Sequence, residues 1–140
     1  MNLVCAGCEL SALDISRIGI ALFLAICFLQ SGVDKVIDRG GNLQWLMGHF
    51  ANSPLKNMVP MLLSIITILE LVGGFLCLSG IVDLFLSNNS ELLFYGFTIN
   101  AIALISLFLG QRLAKDYEGA SVLVNYFILT ILGILTFTIQ

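Results

Sequence analysis

The sequence predicts an all-α fold, a polytopic membrane four-helix bundle with a short interfacial helix between its first and second spans, and three observations lead there. Of 140 residues, 59% are hydrophobic and 11% charged, and the mean hydropathy is +1.02. That charged share is well below what a soluble domain carries. Four apolar runs, at about residues 15–36, 58–86, 92–113 and 119–139, match or exceed the roughly 20 residues that cross a bilayer. The runs use nearly the whole chain, which makes residues 1–140 a single integral membrane domain with no soluble catalytic module. A net charge of −3 with six Lys plus Arg excludes a nucleic-acid surface. No secretory signal is expected, because the first run is too long for a signal segment and Arg17 lies at its start instead of before it.

Residues 1–14 form a short acidic segment with Cys5 and Cys8 in C-x-x-C spacing, which suits a dithiol/disulfide pair or half of a zinc site. A zinc site needs further ligands; Cys27 and Cys77 fall inside spans and His49 is the only histidine, so no metal is expected. A working dithiol and an unstructured tail both remain open. In the first span Gln30 and Asp34 share a helix face, and Lys35 can extend toward the headgroups. Arg17 lies eighteen residues before Lys35, about 27 Å along the helix. Each of these cations is either an interface anchor or a site group.

Residues 40–53 place Leu43, Leu46, Met47 and Phe50 at helical spacing, the mark of an interfacial helix. Trp45 suits the headgroup level, and His49 four residues on either snorkels or caps a cavity mouth. Ser53, Pro54 and Asn57 offer helix-start chemistry for the second span.

That second span contains Glu70, a carboxylate near mid-bilayer. An ionisable group there costs a few kcal/mol, so it should face protein or a water-filled cavity. Thr67, Gly73, Gly74 and Cys77 lie on its side of the helix, a small and polar face that another helix can approach closely. In the third span Asn100 lies at a depth comparable to Glu70, about 16 to 18 Å from one membrane face. A Glu70–Asn100 hydrogen bond is therefore expected. Gln111 and Arg112 end that span on the side of Gln30 and Lys35, and Asn125 of the fourth span lies near the same side, so a polar mouth is expected there. Lys35, Arg39, Lys56, Arg112 and Lys115 fall in the first and third connections, against Arg17 alone at the other end. That split predicts both termini outside.

Arg17, the Gly32-x-x-Lys35 end of the first span, and Glu70-Leu71-Val72-Gly73-Gly74 with Gly80, set in four compact spans, together resemble the DoxX family over most of the chain. Gln111-Arg112-Leu113-Ala114-Lys115-Asp116-Tyr117 is similar to a feature of a bacterial branch. The resemblance implies a small protein of the bacterial inner membrane, in a family associated with membrane redox systems that are quinone- or thiol-linked. On that reading the bundle positions a quinone between helices, Glu70 and Lys35 handle protons as the catalytic pair, and Arg17, Gln30, Asn100, Gln111, Arg112 and Asn125 line a polar cavity. Cys5 and Cys8 would exchange electrons, although the pair is not part of the family pattern. The second reading is a non-enzymatic assembly or accessory subunit whose small-residue faces bind a membrane-protein partner or a second copy within the bilayer. A small-solute or proton transporter is the third. The chain shows no haem pair, iron–sulfur spacing or nucleotide fingerprint.

Overall fold

The structure, a computed structural model, describes residues 3–5 and 8–139, with side chains from Glu9 to Ile139. Two short strands open it, β1 (Leu3–Cys5) and β2 (Cys8–Leu10), followed by α1 (Ala12–Ile37), α2 (Arg39–His49), α3 (Val59–Ser87), α4 (Glu91–Leu113) and α5 (Tyr117–Leu135). The strands pair antiparallel with Leu3 opposite Leu10, Val4 opposite Glu9 and Cys5 opposite Cys8. This hairpin gives residues 3–5 and 8–10 regular structure, where the sequence left an unstructured tail and a working dithiol both open. It holds because Leu10 is buried in the bundle core and Ser11 then starts α1 at once. Ser11 accepts from the Asp14 backbone N–H while the Asp14 carboxylate accepts from the Ser11 backbone, a reciprocal cap that moves the helix start to Ala12.

The first helix ends at Asp38, whose side chain turns round to accept from the Gly41 backbone and so begins α2. That helix stops at His49, and residues 50–58 continue as turns, shorter than the interfacial helix expected to reach residue 53. Ser53 holds one of those turns through the Leu55 backbone N–H and does not cap α3. Pro60 sits in the first turn of α3, where its missing N–H removes nothing, and Asn88 in the left-handed region (φ 53°) closes the helix. The most specific stop lies at the end of α4. Lys115 takes φ 60°, its N–H donates to the Arg112 carbonyl and the Asp116 N–H donates to the Gln111 carbonyl. This is a complete Schellman motif with lysine in the position that glycine usually fills. Asp116 then caps α5 through the Gly119 N–H.

The four long helices α1, α3, α4 and α5 are each long and apolar enough to span a membrane. They form an integral membrane bundle with α3 at its centre, packed between α1 and α4, and with α5 against α4 and α1. Glycines set these contacts. A Cβ on Gly74 would meet the Leu29 backbone of α1 at 3.2 Å, and one on Gly80 would meet the Leu93 backbone of α4 at 2.7 Å. Gly73, beside Gly74 in sequence, faces α4 instead, against Asn100. Two adjacent glycines thus admit two different helices. The core between them holds Leu24, Phe28, Cys77, Leu93, Phe97 and Leu104, while Ile26, Ile68, Phe75 and Leu86 point outward as the apolar surface that a bilayer covers.

At one end of the bundle Arg17 joins the start of α1 to the end of α5. Its guanidinium lies 2.9 Å from Asp14 Oδ1, donates to the Thr136 carbonyl oxygen and hydroxyl at 2.8 and 3.1 Å, and stands 4.3 Å from the Phe137 ring centroid. The side chain is 3% exposed. Each of its three nitrogens donates to one of the two helix ends that it joins, so Arg17 is a clasp between the termini of the bundle and not part of a cavity shared with Lys35.

Candidate functional site

The chemistry collects at the other end, where α1 finishes and α3 begins. Ser31 and Lys35 are one turn apart on α1 and share a face. Gly32 between them lets α1 approach the Leu71 backbone to 3.4 Å from a would-be Cβ, and this brings that face onto Glu70. The Lys35 Nζ lies 2.9 and 3.2 Å from the two Glu70 oxygens and 2.6 Å from the Ser31 hydroxyl, which donates in turn to Glu70 Oε1 at 3.1 Å. The three side chains close a ring of hydrogen bonds in which each polar end has at least two partners. Glu70 is 2% exposed and Lys35 16%. Lys35 therefore turns inward, where an anchor would have reached for the headgroups.

The expected Glu70–Asn100 bond is absent. Asn100 is fully buried, but its amide nitrogen donates to Cys77 Sγ at 3.3 Å and its Oδ1 rests on Gly73 with no hydrogen-bond partner among the described residues. The cause is azimuth. Four residues along a helix turn the face by about 40° and three by about 60° in the opposite sense. Glu70 therefore shares the α1-facing edge of α3 with Gly74, whereas Gly73 and Cys77 present the α4-facing edge that Asn100 meets.

Beside the ion pair lies a cavity of about 300 Å³ between α2, α3 and α4. Leu46, Phe50, Leu63 and Leu107 make apolar walls; Lys35 and Gln111 are among its few polar lining groups. Two further grooves, between α4 and α5 and between α1 and α3, are lined by apolar side chains alone. Only the first therefore joins apolar walls to hydrogen-bonding groups, the usual composition of a small-molecule site. Its rim is held by His49, whose Nε2 lies 3.0 Å from Gln111 Oε1 and 3.4 Å from Asp116 Oδ2. Trp45 stacks on the imidazole at 4.7 Å between centroids and Phe50 meets it edge-on at 5.2 Å.

Of the residues that the sequence assigns to a catalytic pair and a polar cavity, the structure pairs Lys35 with Glu70 and brings Lys35 and Gln111 to the same cavity. Gln30 is exposed on the outer face of α1, Asn125 is exposed on α5, and Arg112 is exposed with its guanidinium 4.5 Å from the Tyr117 ring centroid. Arg17 and Asn100 are buried elsewhere, as described. The backbones of Cys5 and Cys8 oppose each other in the hairpin, but their side chains, on which the dithiol rests, lie outside the described residues. Sequence reasoning did not single out Ser31 or Asp116. Ser31 was legible as the residue one turn before Lys35; Asp116 was not, because only the left-handed Lys115 returns it to Gln111. Compared with models of known protein families, with characterised proteins and with solved structures, the chain matches none.

Proposed function

We propose that the chain is a component of a membrane redox system, similar to DoxX proteins, and that its cavity holds a quinone. The observation that carries the reading is the buried Lys35–Glu70–Ser31 ring opening onto an apolar cavity through Lys35. A quinone is a carrier of two electrons and two protons on an apolar body, which suits walls of Leu and Phe with a few polar groups. Lys35 borders the cavity and gives it a proton by releasing one of its bonds to Glu70 or Ser31, Glu70 behind it compensates the charge, and Ser31 holds both in place. The electrons come from a partner, because the hairpin that carries Cys5 and Cys8 lies at the opposite end of the bundle from the cavity. The basic residues Lys35, Arg39, Lys56, Arg112 and Lys115 all cluster at the site end of the bundle, so the cavity faces the cytoplasm of a bacterial inner membrane and both termini lie outside. The test is extraction of the protein in mild detergent and analysis of the organic-soluble fraction. Quinone retained in proportion to protein, and reduced in the Glu70→Gln variant at equal protein, is expected; quinone-free protein that still complements a deletion refutes the reading.

A second reading, an accessory or assembly subunit, draws on Gln30 and Asn125. Both are polar and both face outward from membrane-spanning helices, where lipid offers no hydrogen bond and a neighbouring protein does. Stoichiometric copurification of one membrane protein, lost when both residues are changed to Leu, favours it.

A further inference from the structure

The rim group His49, Gln111 and Asp116 is not used by the proton-handling pair, and its geometry defines what the cavity accepts. Two acceptors face the same imidazole nitrogen, Gln111 Oε1 at 3.0 Å and Asp116 Oδ2 at 3.4 Å. The carboxylate favours the tautomer with the hydrogen on Nε2, since a lone pair there would be set against its negative charge. Exchanging the oxygen and nitrogen of the Gln111 amide would require that lone pair, so the same carboxylate favours the oxygen end of the amide toward His49. With Oε1 turned to His49, the NH₂ end of Gln111 is left for the cavity that it lines, and no described group accepts from it. The Schellman turn at Lys115 returns Asp116 to Gln111, so the orienting group is built into the α4–α5 connection. Lys35 points to the same ligand class. Its ammonium is engaged by both Glu70 oxygens and by Ser31, so it offers a compensated charge and not a free cation. Arg39 donates to Ser64 and the Pro60 carbonyl, and Arg112 lies over Tyr117. Neither is among the residues lining the cavity.

We infer that Gln111 is the ligand-orienting donor of this cavity, that His49 and Asp116 are its positioning residues, and that the ligand is a neutral amphiphile presenting a carbonyl acceptor instead of an anionic lipid or fatty acid. The inference rests on the quinone reading and names the group that selects within it.

Trp45, the single tryptophan, stacks on His49 beside the cavity and reports occupancy by fluorescence. The full chain in nanodiscs is titrated with a short-chain benzoquinone, with and without laurate as an anionic competitor. Saturable quenching by the quinone, not displaced by laurate, is expected. Gln111→Glu keeps the side-chain size but replaces the donor with an acceptor, and should weaken quinone binding about three- to tenfold, the range for one hydrogen bond. Gln111→Met, uncharged and of similar length, should show the same loss and serves if the carboxylate variant does not accumulate. His49→Phe retains a ring for Trp45 and removes the Nε2 hydrogen; it should weaken binding similarly, and the His49→Phe/Gln111→Met double variant should be no worse than Gln111→Met. A purely structural His49 would give additive losses instead. Saturable quinone binding that these variants leave within about twofold of wild type, or that shows additive losses, overturns this inference and leaves the quinone reading standing. Displacement by laurate overturns the neutral-ligand class. Absence of saturable binding by the wild-type protein overturns both.

Discussion

Lys35 and Glu70 differ in how much of each is sealed in, and this asymmetry sets the outcome of removing either one. Glu70 is 2% exposed and, among the described residues, its two oxygens have only Lys35 and Ser31 as partners, so Lys35→Met leaves a carboxylate enclosed in apolar helix contacts with one hydroxyl. Removing one partner of a buried pair costs about 3–5 kcal/mol, and this variant should lie in that range. Glu70→Gln leaves Lys35, whose side chain is 16% exposed and borders the cavity, able to swing out of the bundle while the amide keeps the hydrogen bond to Ser31. Its cost should be nearer the roughly 1–3 kcal/mol of an impaired buried polar group. Lys35→Met/Glu70→Leu removes both charges and fills the space with apolar volume. Such replacements are often neutral or stabilising, so the double variant should unfold within about 1 kcal/mol of wild type or later. The assay is a double-mutant cycle by denaturant unfolding in detergent, followed by circular dichroism, with membrane abundance measured in parallel. Strict additivity of Lys35→Met and Glu70→Leu, or a Lys35→Met variant less perturbed than Glu70→Gln, refutes the buried-pair reasoning. The double variant also separates a stabilising role from a functional one. If it is folded and abundant but unable to complement a deletion, the pair has a function beyond stability; if it complements fully, the pair is structural.

Arg17→Met should destabilise by about 3 kcal/mol, because it takes the cation from the Asp14 carboxylate, leaving it only its Ser11 partners among the described residues, and frees the Thr136 end of α5; a melting temperature unchanged from wild type would contradict its role as a clasp. Lys115→Gly should stabilise by about 0.5–1 kcal/mol, since φ 60° is strained for lysine and open to glycine, and a loss of stability in unfolding measurements would mean that the turn is not left-handed. Cys5 and Cys8 should react with a membrane-impermeant thiol reagent on intact, reduced cells, because the single basic residue Arg17 marks their end of the bundle against five at the other; labelling only after lysis reverses the orientation.

Composition and run length alone determined the membrane class and the four spans, because the bilayer demands about 20 apolar residues wherever a helix crosses it. The same logic identified Glu70 as protein-facing and Gly73 and Gly74 as places where helices meet, since a carboxylate in lipid and a Cβ at a close crossing both carry a penalty that residue type reveals. Which helix each of them meets was not legible. Depth along the axis matched Glu70 to Asn100, but a rotation of about 60° around α3 separates Glu70, which meets α1, from Gly73, which meets α4, and only the placement of the neighbouring helices resolves it. The hairpin at the N-terminus escaped for a related reason: its strands are too short to show alternation, and Leu10 in the bundle core anchors them. The rim of the cavity was the least legible part, because a lysine in a glycine position gives no local sign of the turn it makes, and that turn is what carries Asp116 back to His49 and Gln111.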